Sequence, residues 1–183
     1  HVLALLSDPH KRFRVVHIAG TRGKGSTAAM VESCLRAAGY RTALYTSPHL
    51  HSFRERIRVG GQLMPREALV EMVEYCRPAI EATPQITTFE TIEAIAFAYF
   101  AQQQVEWAVV EVGLGGRLDA TNIVEPEICA ITSISYDHTA ILGNTLTMIA
   151  TEKAGIIKPG IPVVSHPQEA EAMTVIEETA RQR

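Results

Sequence analysis

The chain has 183 residues, 46% of them hydrophobic and 20% charged, which is enough apolar material to pack one domain. Its net charge of -3 offers no basic surface for nucleic acid or an anionic membrane, and no apolar run approaches the ~20 residues that cross a bilayer. No positively charged leader precedes an apolar stretch, and Cys34, Cys76 and Cys129 read as buried structural thiols in a reducing, cytoplasmic setting. The chain opens on His1 and stops at Arg183 inside a helical pattern, so both ends read as trimmed.

Residues 15–19 form a short apolar run ending in Gly20, a buried strand. Residues 26–38 have helical spacing through Met30, Val31, Cys34, Leu35 and Ala38, with Gly39 as a stop. A second strand spans 41–46. Residues 56–59 and 62–64 flank Gly60-Gly61 as a small hairpin. Pro65 opens a helix whose apolar face (Ala68, Leu69, Met72, Val73, Cys76) ends before Pro78. Residues 89–103 are apolar almost all round, a deeply buried helix. Strands follow at 107–112 and 128–134, a short helix at 145–153, a strand at 162–165 and a last helix at 168–181. Alternating strands and helices predict an α/β fold, a mostly parallel sheet with helices on both faces. The loops at the strand C-termini then share one edge, where ligands bind.

That edge carries the chemistry. Gly20, Thr21, Arg22, Gly23, Lys24, Gly25 and Ser26 lie between a strand and a helix. Glycines let consecutive N–H groups turn toward an anion, the helix adds its positive end, and Lys24 reaches terminal phosphates. The pattern is the short G-x-x-G-K-x-[ST], not G-x-x-x-x-G-K-[ST], and it predicts an ATP-phosphate site. Glu111 ends a buried strand, where a carboxylate needs a partner or a hard cation such as magnesium. Gly113, Gly115 and Gly116 follow, but Leu118 stands where a dinucleotide fingerprint needs its third glycine. Asp137-His138, Thr46-Ser47-Pro48-His49 and Lys153 complete the polar set.

Several segments occur in order: H-I-A-G-T-R-G-K-G-S, T-S-P-H-L, E-R-I-R-V, E-V-G-L-G-G-R-L-D-A-T-N, D-H-T and E-K-A-G-I-I-K-P-G. Together they resemble the N-terminal, ATP-binding part of the folylpolyglutamate synthase/dihydrofolate synthase family of the Mur ligase superfamily. The resemblance spans roughly residues 10–164. It implies a P-loop NTPase-like Mur ligase central domain over 1–183, truncated at both ends, with the C-terminal glutamate-binding domain absent. It implies a cytoplasmic, monomeric ATP-dependent ligase joining L-glutamate to folate or dihydropteroate through an acyl phosphate, with this fragment inactive alone.

By motif match, Thr21, Arg22, Gly23, Lys24, Gly25 and Ser26 hold ATP. Ser47, Glu111 and His138 hold magnesium, with two ions implied. Lys24, His138 and Lys153 serve catalysis, Lys153 as the family's carbamylated lysine. Thr87, Thr88, Phe89, Glu90, Leu118, Asp119 and Ala120 contact the pterin-bearing substrate. Arg22 and Arg54 stand where the family usually has asparagine. A Mur-type ligase with a different acid acceptor, an inactive nucleotide-binding module and a P-loop kinase are the alternatives. The loop spacing and the lack of a recognisable arginine-bearing lid argue against the kinase.

Overall fold

A computed structural model describes residues 1–183. Its elements are α1 (Val2–Leu5), β1 (Arg14–Ala19), α2 (Lys24–Ala37), β2 (Thr42–Tyr45), β3 (Ile57–Val59), β4 (Gln62–Leu63), α3 (Arg66–Glu81), α4 (Thr88–Gln102), β5 (Trp107–Glu111), β6 (Ile128–Ile131), α5 (Thr139–Leu142), α6 (Leu146–Ala154), β7 (Val163–Ser165) and α7 (Ala170–Gln182). One seven-stranded sheet runs in the order β4-β3-β2-β5-β1-β6-β7. Strands β2, β5, β1, β6 and β7 are parallel, and the β3–β4 hairpin adds an antiparallel edge.

The alternation along β1 assigns the layers. Val15 packs with the larger core under α3 and α4, and Ala19 with the core under α6 and α7. Val16 and Ile18 point to the opposite face and meet Ala28 of α2. Phe97 and Phe100 of α4 are fully buried. Burial of a side chain of that size stabilises by about 1.5–3 kcal/mol.

Four expectations are corrected. The helix α3 does not stop before Pro78 but continues to Glu81. Proline removes one backbone donor, yet Ala79 is buried and Ile80 packs on the core, so tertiary burial holds the last turn. Cys34 is exposed, unlike Cys76 and Cys129. The buried stripe of α2 is Ala28, Val31, Glu32 and Leu35, which leaves Met30 and Cys34 outside. Glu32 is tolerated inside because Thr42 Oγ1 donates to it at 2.5 Å and Arg36 Nε at 3.2 Å.

The helix α2 starts two residues earlier than its apolar spacing indicates. Strand β6 ends at Ile131 rather than at residue 134. Beyond Thr132, whose amide still bonds Ala19, the chain turns to brace the glycine-rich loop after β1. The Ser133 carbonyl accepts from Thr21 N–H at 2.8 Å, and Ile134 N–H donates to the Gln168 side chain at 2.9 Å.

Thr145 caps α6 by accepting the Met148 N–H at 3.2 Å. Thr145→Ala is expected to lower stability by about 1 kcal/mol. Thermal denaturation would register this as a loss of about 2–4 °C in Tm.

Candidate active site

The C-terminal ends of β1, β2, β5 and β6 lie on one edge because the strands are parallel and in register. Ile18 stands opposite Glu111, Ala19 opposite Ile131, and Tyr45 opposite Val110. The loops leaving these strands enclose a cavity of about 450 Å³. Thr21, Lys24, Ser47, Phe89, Asp119 and His138 are among its lining residues. A narrower cleft joins Gly20, Thr21, Lys24, His138 and Lys153. Residues from 20 to 153 are thereby brought together, as the sheet-edge argument expects.

In the glycine-rich loop after β1, the Thr21 and Arg22 amides both point at the Ser133 carbonyl, at 2.8 and 3.5 Å. Thr21 Oγ1 also donates to Ser135 O at 3.1 Å. The base of the loop is thus pinned to the segment after β6. The first N–H to find a helical partner is that of Thr27, which bonds Gly23 O at 2.9 Å. The preceding amides at the head of α2 are where a helix accepts an anion.

Glu111 is 4% exposed. Its Oε2 accepts the Ser47 N–H at 3.0 Å, and its Oε1 lies 4.0 Å from Lys24 Nζ. Burial raises its pKa, while the Ser47 amide and Lys24 pull the other way. A Cβ on Gly25 would sit 3.2 Å from Glu111 Oε2, so a glycine there lets α2 approach the carboxylate closely. No three His, Cys, Asp or Glu side chains cluster into an ion cage. The local donors are instead one carboxylate and the nearby Ser47 hydroxyl. That oxygen set fits a hard cation that takes most of its ligands from water and phosphate, as magnesium does. His138, in a left-handed backbone conformation at the head of α5, faces the same cavity with an exposed ring.

Lys153 is 4% exposed, and its Nζ donates to Gly20 O at 2.8 Å. Burial, reinforced by the charge of Lys24, pulls its pKa down to about 8. It is therefore a buried amine tied to the glycine-rich loop after β1, not the solvated helix-end lysine that its position on α6 suggests.

Asp119 organises the loop after β5. Its Oδ1 accepts both Thr121 N–H (3.1 Å) and Thr121 Oγ1–H (2.5 Å), and its Oδ2 accepts Leu114 N–H (2.9 Å). Thr121 Oγ1 also lies 2.9 Å from His17 Nε2. Because the hydroxyl proton goes to Asp119, His17 must donate from Nε2. His17 is wholly buried, and desolvation holds its pKa at about 3, so the ring is neutral. Sequence reading missed this His17–Thr121–Asp119 relay, since its members are 104 residues apart at the widest.

Other predicted residues are not gathered in. Leu118 is 78% exposed. The capping box of α4 consumes Thr87 and Glu90, with Glu90 Oε2 accepting Thr87 N–H at 2.8 Å. Glu90 lines a neighbouring cavity of about 430 Å³ and not the main one, Thr88 lines neither, and Ala120 alone of these lines both. Arg22 and Gly23 open onto a groove beside β6 and β7, and Ser26 lines neither that groove nor the main cavity. Arg54 Nε donates to Met64 O at 2.8 Å and so fastens the hairpin.

Sequence reading also missed Tyr45, Arg56 and Glu93, all of which line the main cavity. Glu93 is 3% exposed, and desolvation, with Asp119 and Glu90 nearby, pushes its pKa up to about 9. The one available signal was a carboxylate set in the apolar run of α4.

The family model of the Mur ligase middle domain matches residues 18–169. The dihydrofolate synthase/folylpolyglutamate synthase of Bacillus subtilis (strain 168) is 46% identical over 185 residues, covering 98% of this chain and 43% of that protein. A folylpolyglutamate synthase of Arabidopsis thaliana is 46% identical over 181 residues, covering 96% of this chain and 32% of that protein. A solved FPGS-AMPPCP-folate complex superposes with a TM-score of 0.96 at 41% identity, covering 99% of this chain and 46% of that one. The chain thus spans less than half the length of these relatives.

Proposed function

Because the chain belongs to the Mur ligase family through its middle domain, we propose that it forms the ATP-binding part of a ligase joining L-glutamate to a folate or dihydropteroate acceptor. The observation that carries this reading is the convergence of Lys24, Ser47, Glu111, Asp119 and His138, from separate loops, on one cavity and its wall.

An acceptor carboxylate oxygen attacks the γ-phosphorus of ATP. The bond to the β–γ bridging oxygen breaks and ADP leaves, giving an acyl phosphate. The glutamate amine then attacks the acyl carbon, inorganic phosphate departs, and the amine proton passes to a base. Two polyanions must meet in the first step. Lys24 and the leading amides of α2 offset their repulsion with charge fixed in place beforehand. Glu111 and Ser47, with His138 facing them, form the magnesium site. When bound there, magnesium screens the phosphate charge and polarises the γ-phosphoryl group. Asp119, held by three hydrogen bonds, fixes the floor on which the acceptor lies.

Lys153 is the chain's carbamylation site. Its neutral amine attacks CO2, a C–N bond forms and a proton is released, leaving an anionic carbamate where a cation stood. Since its pKa is lowered to about 8, the reactive fraction grows as pH rises through that value. With labelled bicarbonate, a carbamate carbon resonance should strengthen from about pH 7 to about pH 9. It should be missing in Lys153→Gln, and a resonance that survives that substitution contradicts the assignment.

The test of function is product analysis. The full-length protein that carries this domain is incubated with ATP, magnesium, L-glutamate and a panel of acids. Glutamylated folate or dihydropteroate is expected, and glutamylation only of an unrelated acid would replace the acceptor assignment.

A further inference from the structure

Arg56 is 7% exposed and lines the main cavity. A buried guanidinium ordinarily has a carboxylate partner. Arg56 has none. Its Nε donates to His49 Nδ1 at 2.9 Å, its Nη1 has no partner, and its Cζ lies 5.7 and 5.5 Å from the ring centroids of Phe53 and Phe89.

The acids of the cavity are already committed. Asp119 accepts three hydrogen bonds. Asp137 accepts the His138 N–H at 2.9 Å and lies 3.8 Å from the His138 ring. Glu93 is held as a neutral acid by its burial. Glu111, in the adjoining wall, takes the Ser47 amide and faces Lys24. No protein carboxylate is left to neutralise Arg56, so the balancing anion must come from a ligand.

We infer that Arg56 binds the oxyanion of a substrate in this cavity, and specifically the carboxylate of the acceptor. Three substrates carry suitable oxyanions, the acceptor, L-glutamate and the nucleotide. The nucleotide already has Lys24 and the amides of α2. Arg56 reaches the cavity from the turn before β3, and it shares that wall with Phe89 of α4. An aromatic ring under a guanidinium orients the fork for two-point contact with a planar carboxylate. The inference rests on the ligase reading above.

Arg56→Met and Arg56→Lys, made in the full-length protein that carries this domain, are compared with wild type at saturating ATP, magnesium and L-glutamate. Arg56→Met is expected to raise the acceptor KM by about 10–100-fold, the worth of a charge-assisted hydrogen bond. Affinity for AMPPCP should stay within about 2-fold of wild type. Arg56→Lys should recover part of the KM loss, because it keeps the charge but not the fork.

A merely structural arginine would lower kcat and Tm without this selective KM effect, and that result overturns the inference. Weakened AMPPCP binding with an unchanged acceptor KM assigns the oxyanion to the nucleotide and also overturns it. A raised L-glutamate KM with an unchanged acceptor KM would assign the oxyanion to glutamate and overturn the inference. If the full-length wild-type protein glutamylates no acid, the ligase reading itself falls and the inference with it. If wild type is active and both variants match it, only the role of Arg56 fails.

Discussion

Lys24→Met is expected to lower kcat/KM for ATP by about 10²–10³-fold, the scale set by removing one preorganised charge or donor from a transition state. The side chain is 17% exposed, and its Nζ lies 4.0 Å from Glu111 Oε1 at the cavity wall. Its charge is therefore only partly screened by water, and in the proposed reaction it acts where a γ-phosphoryl group gains charge. Methionine keeps the apolar stem, so packing is preserved. Glu111 retains the Ser47 amide, and loss of Lys24 removes an interaction that favours its charged form. Steady-state phosphate release checks the rate, and titration with AMPPCP separates binding from turnover. A loss confined to binding would make Lys24 an anchor for the nucleotide rather than a stabiliser of the transferring group.

Gly20→Ala is expected to lower Tm by about 5–10 °C, from about 1–3 kcal/mol of backbone strain together with a steric term. Gly20 has a φ of 147°, which side-chain-bearing residues rarely adopt. A Cβ there would fall 1.8 Å from Thr132 Oγ1 and 2.9 Å from Thr132 Cβ, so rotating the hydroxyl does not relieve the overlap. The loop has to shift away from the segment after β6. That shift moves the Gly20 carbonyl, which accepts the Lys153 ammonium at 2.8 Å. Nucleotide affinity should fall together with stability. Differential scanning fluorimetry with and without AMPPCP reads both, and an unchanged Tm would show that the loop accommodates a methyl group without strain.

The contrast between legible and hidden parts follows from range. Strands β1, β5 and β6 announce themselves because burial on both faces removes alternation, so Val15, Val109 and Ile131 sit in plain apolar runs. Glu111 is legible as a polar residue at the end of such a run, and Lys24 by its place in the glycine-rich loop that follows one. The phase of α2 is not legible. Met30 and Cys34 have the right spacing for a buried face, but Thr42 and Arg36 make Glu32 the better inward residue. The continuation of α3 past Pro78 depends on contacts of Ala79 and Ile80 that no local rule contains. His17, Glu93 and Arg56 became visible as site residues only when distant segments met. Lys153 lay between these cases, since resemblance implied its role while spacing alone favoured a solvated end of α6.

In the reaction proposed for the full-length protein, a phosphoryl group is transferred to an acceptor carboxylate held beside Lys24. Oxygen-18 in that carboxylate is the direct probe. With ATP, magnesium and L-glutamate present, attack by the carboxylate carries one labelled oxygen into the inorganic phosphate released when the amide forms. The account predicts singly labelled phosphate in step with glutamylated product. Amide formed with unlabelled phosphate would contradict it.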